Sequence, residues 1–183
     1  MIFEPKSITL KTGQTAMLKT PSVDDAHKML SYITKACGET DFIARYPEEW
    51  SCISVESEEK WIHNARISNS KLIVTCYISD AIVGNAEINF FIGQKTKHRA
   101  TLAIAILKDY WGLGIGSALF SELLSAANNH SGTELAELEF IEGNERAKAL
   151  YEKFGFQIVG ERPNAFHLRD GSYRSELFMQ KKL

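Results

Sequence analysis

Gly112, Gly114 and Gly116 alternate with Leu113 and Ile115 in the stretch from Trp111 to Ser117. Spacing of this kind lets a backbone turn tightly and lets a ligand approach with no Cβ in the way. A helix beginning near Gly114 would add the unpaired N–H groups of its first turn and the positive end of its dipole, which together bind a phosphate or pyrophosphate. The chemistry on offer is a grip on a phosphate-bearing cofactor. A turn whose glycines serve packing alone is the competing reading. Two familiar phosphate loops fit poorly. A dinucleotide fingerprint opening at Gly112 wants a third glycine where Ser117 stands, and no clear βαβ unit opens the chain. An ATP-binding P-loop ends in Gly-Lys-Ser/Thr, and Gly116-Ser117-Ala118 has no lysine to reach a terminal phosphate.

A turn of this kind needs a strand before it and a helix behind it. Ala103 to Leu107 is an apolar run suited to a strand buried on both faces, and Lys108, Asp109 and Tyr110 interrupt it before the glycines. Leu119, Leu123, Leu124 and Ala127 then recur at helical steps, with Ser121, Glu122, Ser125 and Asn128 on the opposite face.

The remainder reads as a frame around that unit. The chain opens with a hairpin turning at Gly13, followed by a helix from an N-cap at Ser22 to Gly38. Glu39 to Val55 has no steady period and reads as a loop or broken helix, and a second helix starts at Ser57. Lys71–Ile78 and Ile82–Ile92 read as strands, with a bulge or close approach at Gly84. Alternation in the second of these puts Glu87 and Asn89 on one face and Ala86, Ile88 and Phe90 on the other. Together with the strand before the glycines they make an antiparallel meander. Glu134–Ile141 reads as a strand beside the central one, and Asn144–Phe154 as a helix stopped by Gly155. Another strand begins at Phe156, Arg162–Phe166 is irregular, and a hairpin turning at Asp170-Gly171 ends the chain.

A length of 183 residues suits a single domain over 1–183, and 44% hydrophobic with 24% charged residues is ordinary for a globular chain. A net charge of −2 gives no support to nucleic-acid binding. No apolar stretch is long enough for a leader's hydrophobic core or a membrane span, so a cytoplasmic protein is expected. Cys37, Cys52 and Cys76 are odd in number and widely spaced, which suggests neither a disulfide framework nor zinc. The histidines are scattered, and no metal is expected.

Two segments carry a family resemblance. Trp111-Gly-Leu-Gly-Ile-Gly-Ser-Ala-Leu119 after a buried strand resembles motif A of the GNAT superfamily of N-acetyltransferases, Gln/Arg-x-x-Gly-x-Gly/Ala. Asn144 to Phe156, with Ala147, Leu150, Tyr151, Gly155 and Phe156, is similar to motif B, Asn-x-x-Ala-x-x-Leu-Tyr-x-x-x-Gly-Phe. Trp111 departs from the pattern, standing where the family usually has Gln or Arg. The resemblance implies an α+β fold, a mixed, mostly antiparallel central sheet flanked by helices, of the GNAT-like acyl-CoA N-acyltransferase type. It implies acetyl-CoA as acetyl donor, with the diphosphate held by the segment Trp111, Gly112, Leu113, Gly114, Ile115, Gly116 and Ser117. The backbone of Ile104, Ala105 and Ile106 would pair with the pantetheine arm, an N–H near Ile106 on a bulged central strand would polarise the thioester, and Asn144 would bond the arm or cap its helix. The acceptor is expected to be an amine of a small molecule or peptide, and a homodimer is compatible with the family.

Moving an acetyl group to an amine needs a neutral amine, a polarised carbonyl and a proton for the departing thiolate. Motif B places Tyr151 as the acid, a phenol still protonated at neutral pH, against the alternative of simple helix packing. Glu87, in a strand adjoining the expected acceptor cleft, is the candidate base, against the alternative of a solvated strand face.

Overall fold

The computed structural model describes all residues from Met1 to Leu183. Its eight strands are β1 (Lys6–Thr9), β2 (Thr15–Lys19), β3 (Lys71–Ile78), β4 (Ala81–Phe90), β5 (Arg99–Ile106), β6 (Leu135–Ile141), β7 (Gln157–His167) and β8 (Tyr173–Lys182). They form one sheet in the order β1-β2-β3-β4-β5-β6-β8-β7. Every neighbouring pair is antiparallel except β5 with β6, which is parallel. The expected mixed, mostly antiparallel sheet is therefore present.

The helices are α1 (Ala26–Gly38), α2 (Pro47–Trp50), α3 (Val55–Ile67), α4 (Ile115–Asn129) and α5 (Glu145–Lys153). The period-2 pattern of β3 and β4 decides which helix lies on which face. Val74, Cys76, Ala86 and Ile88 join Leu119, Phe120 and Leu123 of α4 in the larger apolar cluster. Tyr77 and Ile82 point to the other face, where they meet Met29 and Tyr32 of α1 and Ile62 of α3. Fully burying a side chain of this size contributes about 1.5–3 kcal/mol, so α4 is anchored chiefly by its leucine and phenylalanine stripe. Helix α1 is tied to the sheet by polar contacts as well, because the Tyr77 hydroxyl donates to Asp25 at 3.0 Å.

Three local readings are refined. Helix α3 starts at Val55, because the Ser54 hydroxyl oxygen, not that of Ser57, caps it by accepting the Ser57 N–H at 3.2 Å. Arg162–Phe166 is irregular as expected, but it falls within strand β7 and does not end it. Pro163 has no N–H to give the ladder, and β7 absorbs it through a register break between Arg162 and Phe166, with Asn164 at φ 54°. The bulge expected at Gly84 is present, where β4 shifts its pairing with β3, whereas the one expected on the central strand near Ile106 is not seen, since β5 keeps an unbroken register with β4.

Candidate active site

Strands β5 and β6 are held together over only a short length. Arg99, Ala100 and Thr101 pair with Leu135, Ala136 and Glu137, and the Arg99 guanidinium clamps the Glu137 carboxylate with two hydrogen bonds of 2.8 and 2.6 Å. Beyond that point β6 pairs only with β8, and the edge of β5 is left open. Which groups face the gap follows from alternation. The Leu107 N–H donates to Val83 on the β4 side at 3.0 Å, so Ala105 also turns its main chain toward β4, while Ile104 and Ile106 turn theirs toward the gap. The carbonyl of Ala105 is further occupied by the Tyr32 hydroxyl at 2.7 Å. Of the three strand residues expected to hold the cofactor, Ile104 and Ile106 turn their main chains to the gap and Ala105 turns its main chain to β4.

Beyond the open edge lies the glycine turn. Gly112 and Gly114 have φ of 77° and 98°, a region that disfavours any residue with a Cβ. Gly114 is the N-cap of α4. No main-chain N–H from Gly112 through Ser117 donates a hydrogen bond within the protein, so consecutive amides are open at a helix N-terminus. Gly116 has a different reason to lack a side chain: a Cβ there would lie 3.3 Å from both Ile106 and Leu150. Its absence lets the first turn of α4 pack onto β5 and α5.

Trp111 is not part of this row of free amides. Its N–H donates to the Lys108 carbonyl at 3.1 Å, and its indole Nε1 donates to the Ile106 carbonyl at 2.7 Å. The guanidinium of Arg146, on α5, lies 3.6 Å over the indole ring and has no carboxylate partner. Trp111 thus latches the turn to the end of β5 and seats an arginine beside the open amides. Sequence reading missed Arg146, since nothing local marks which of several surface arginines will stack.

One cavity of about 1070 Å³ joins these features, lined by Ile104, Ile106, Gly114, Asn144, Tyr151 and Glu87 among others. Asn144 caps α5 by accepting the Ala147 N–H at 3.2 Å, which leaves its amide NH₂ free to donate. Tyr151 is only 5% exposed, its ring held among Phe120, Phe140 and Phe156. Its hydroxyl makes no hydrogen bond in the protein, and burial pushes the phenol up to about 12. The expected loop segment also contributes, with Phe42, Ile43, Arg45 and Trp50 on the wall.

Glu87 lines the same cavity but is already engaged. Its carboxylate sits 3.0 Å from Lys71 Nζ and accepts from the Asn89 amide at 3.2 Å. Lys71 in turn lies 4.6 Å from the centre of the Trp61 ring. Nearby on α3, Glu58 is 8% exposed. Burial pushes its carboxyl above the usual range, the negative charge of Glu87 pushes the same way, and Lys71 partly offsets both. Glu58 lies in the first turn of α3, and its spacing to Ile62 and Ala65 places it on the buried stripe of that helix.

This raised value has a consequence for stability. The folded chain holds the Glu58 proton more tightly than the unfolded one, so the contribution is full below the ordinary glutamate value of about 4.3 and is lost as pH rises through the folded value. Glu58→Gln does not titrate. Its melting temperature relative to wild type is expected to climb as pH is raised from about 4 to about 8, and a flat difference in calorimetry would contradict the assignment.

Comparison with known proteins completes this picture. Residues 39–156 match the acetyltransferase (GNAT) family, a span that includes α4, β5, the glycine turn and α5. The chain belongs to this family. Among its relatives, the L-amino acid N-acetyltransferase AaaT of Escherichia coli is 28% identical over 111 residues, 61% of this chain and 67% of that one. The [ribosomal protein bS18]-alanine N-acetyltransferase of Haemophilus influenzae is 36% identical over 99 residues, 54% of this chain and 66% of that one. The chain thus spans about two thirds of the length of each relative. A crystal structure of a GNAT-family acetyltransferase from Streptococcus pneumoniae superposes with a TM-score of 0.85 over 92% of this chain and 99% of that one, at 23% identity. GNAT acetyltransferases use acetyl-CoA as their acetyl donor. No group of three or more His, Cys, Asp or Glu side chains is placed to hold a metal ion, and no helix is long and apolar enough to cross a membrane.

Proposed function

We propose that this GNAT acetyltransferase moves the acetyl group of acetyl-CoA onto a primary amine by direct attack, with donor and acceptor held in one ternary complex. The observation that carries this reading is the row of open amides from Gly112 to Ser117, set at the end of a splayed β5 edge in the cavity that Tyr151 also lines.

The residues present suit the donor. The positive φ of Gly112 and Gly114 and the empty space where a Cβ would stand leave room for a diphosphate against the amides. Arg146, Lys11 and Lys153 line the same cavity and supply positive charge. The main chains of Ile104 and Ile106 would hold an extended arm as an added strand would be held, and the Ile106 N–H, fixed before reaction, would polarise a thioester carbonyl. Asn144 has an amide to offer the same arm. Tyr151 would protonate the departing sulfur, and a carboxylate of the Glu58 and Glu87 group would take the acceptor's proton.

Direct attack is favoured over a covalent intermediate because no cysteine lines the cavity. Burial also raises the Cys37 thiol and pushes Cys76 up to about 12, away from thiolate character. The relatives' names point to α-amines as acceptors, on a free amino acid in one case and on an alanine of a ribosomal protein in the other.

Calorimetry with acetyl-CoA, ATP and NAD, followed by release of free coenzyme A in the presence of L-amino acids, L-alaninamide, alanine-initiated peptides and polyamines, tests the proposal. Saturable uptake of acetyl-CoA alone and amine-dependent release of thiol are expected. Uptake of ATP or NAD in its place would overturn it.

A further inference from the structure

Glu58 has a property that Glu87 lacks. It is buried, it lines the cavity, and its carboxylate makes no hydrogen bond and no ion pair in the protein. Buried carboxylates normally have partners, because removing the charge from water without them is costly. Here the stem is buried on the α3 stripe that also carries Ile62 and Ala65, while the carboxylate oxygens keep access to the cavity. Glu87 is the reverse case. Lys71 neutralises it at 3.0 Å and Asn89 fills another lone pair at 3.2 Å, while Trp61 packs its ring against the same ammonium. A cationic amine entering the cavity would meet two carboxylates without an ion pair, Glu139 on β6, which is exposed to solvent, and Glu58 on α3, which is the buried one.

We propose that Glu58 receives the ammonium of the acceptor and takes its proton, and that Glu87 acts through Lys71 as a positioning residue. This rests on the acetyl-transfer reading given above. The acceptor is then an aliphatic primary amine that arrives as a cation. Its ammonium gives one proton to the Glu58 carboxylate, which becomes a neutral acid and later releases that proton to solvent. The freed lone pair forms the C–N bond as the C–S bond breaks, and the electron pair leaves with sulfur. Tyr151 protonates that sulfur, and the second proton lost by the nitrogen restores the phenol. The charges acting on Glu58 are Glu87 on β4, which opposes its ionisation, and Lys71 on β3, which favours it. Burial adds to the first effect, so the carboxylate is a stronger base than an exposed glutamate.

Two readouts test the assignment. In kinetics with L-alaninamide, Glu58→Gln is expected to lower kcat/KM by about 10²–10⁴-fold and to remove the acidic limb of its pH profile. Glu87→Gln is expected to keep the limb and move it to lower pH, since a like charge is gone and Lys71 is released toward Glu58. A residue that merely packs would change the rate without moving the limb. The second readout needs no turnover: in carboxyl ¹³C NMR, one glutamate resonance absent from Glu58→Gln should titrate above the ordinary range, and n-butylammonium should lower its midpoint. An acidic limb unmoved in Glu58→Gln, or a Glu58 resonance that titrates normally and ignores n-butylammonium, would overturn the proposal. Calorimetry with acetyl-CoA separates the two levels. Absence of uptake by wild type counts against acetyl transfer, whereas intact uptake with an unmoved limb counts against Glu58 alone.

Discussion

Valine at position 114 is expected to weaken acetyl-CoA binding by about a hundredfold or more in calorimetry, on a chain that still folds. Two effects combine. Gly114 sits at φ 98°, where a side chain costs about 1–3 kcal/mol of backbone strain, and a β-branched one fits worst. The loop escapes that strain only by turning, which takes its amides out of line. The second effect is occlusion. Nothing lies within 4 Å of where a Cβ would stand, so the added methyls project into the space proposed for the diphosphate. Hydrogen bonds to a charged group contribute about 1.5–3 kcal/mol each, and losing one or two accounts for the expected factor. Gly132→Val is the matching control. Gly132 has φ 82° and equally open surroundings, but it follows α4 at the far end, so that variant should lose comparable thermal stability and keep its affinity. Equal affinity in Gly114→Val would remove the glycine turn from the binding site.

The parts of this architecture that were legible in the sequence are those in which one element carries its own signal. The stripe Leu119, Leu123, Leu124 and Ala127 has only one way to be buried, and it is buried. The alternation of Ala86, Ile88 and Phe90 with Glu87 and Asn89 fixes which face of β4 meets α4. The glycine turn is similarly local, because positive φ at Gly112 and Gly114 is a property of a few residues. What was not legible depends on a second element. Nothing in Thr101 or Glu137 says that β5 and β6 part company there, since the divergence is a matter of how far two strands separated by α4 stay paired. Trp111 looked like a deviant member of a phosphate loop. Its indole is instead claimed by the Ile106 carbonyl and the Arg146 guanidinium, both from other elements.

The acids illustrate the same limit. Glu87 and Glu58 are both glutamates near apolar residues, and a single sequence gives no way to tell which one Lys71 will neutralise. The signal that was available for Glu58 is its spacing of four and seven residues from Ile62 and Ala65, an acid on the buried stripe of a helix.

Tyr151→Phe is expected to lower kcat by about 10²–10⁴-fold, the usual range for a lost general acid, while acetyl-CoA affinity and melting temperature stay near wild type. The separation follows from how the residue is divided. Its ring is structural, packed 5.3 Å from the centre of Phe120 and 5.7 Å from that of Phe140, and phenylalanine preserves those contacts. Its hydroxyl has no partner in the protein, so removing it deletes no hydrogen bond and leaves no orphaned group behind. With the phenol pushed up to about 12, the proton is in place throughout the neutral range, and the loss should be the same from about pH 6 to about pH 9. That flatness distinguishes Tyr151 from Glu58, whose replacement changes the shape of the profile and not only its height. If Tyr151 serves only to pack α5 against α4, the phenylalanine variant will turn over at the wild-type rate, and the proton for the departing sulfur must come from elsewhere in the cavity.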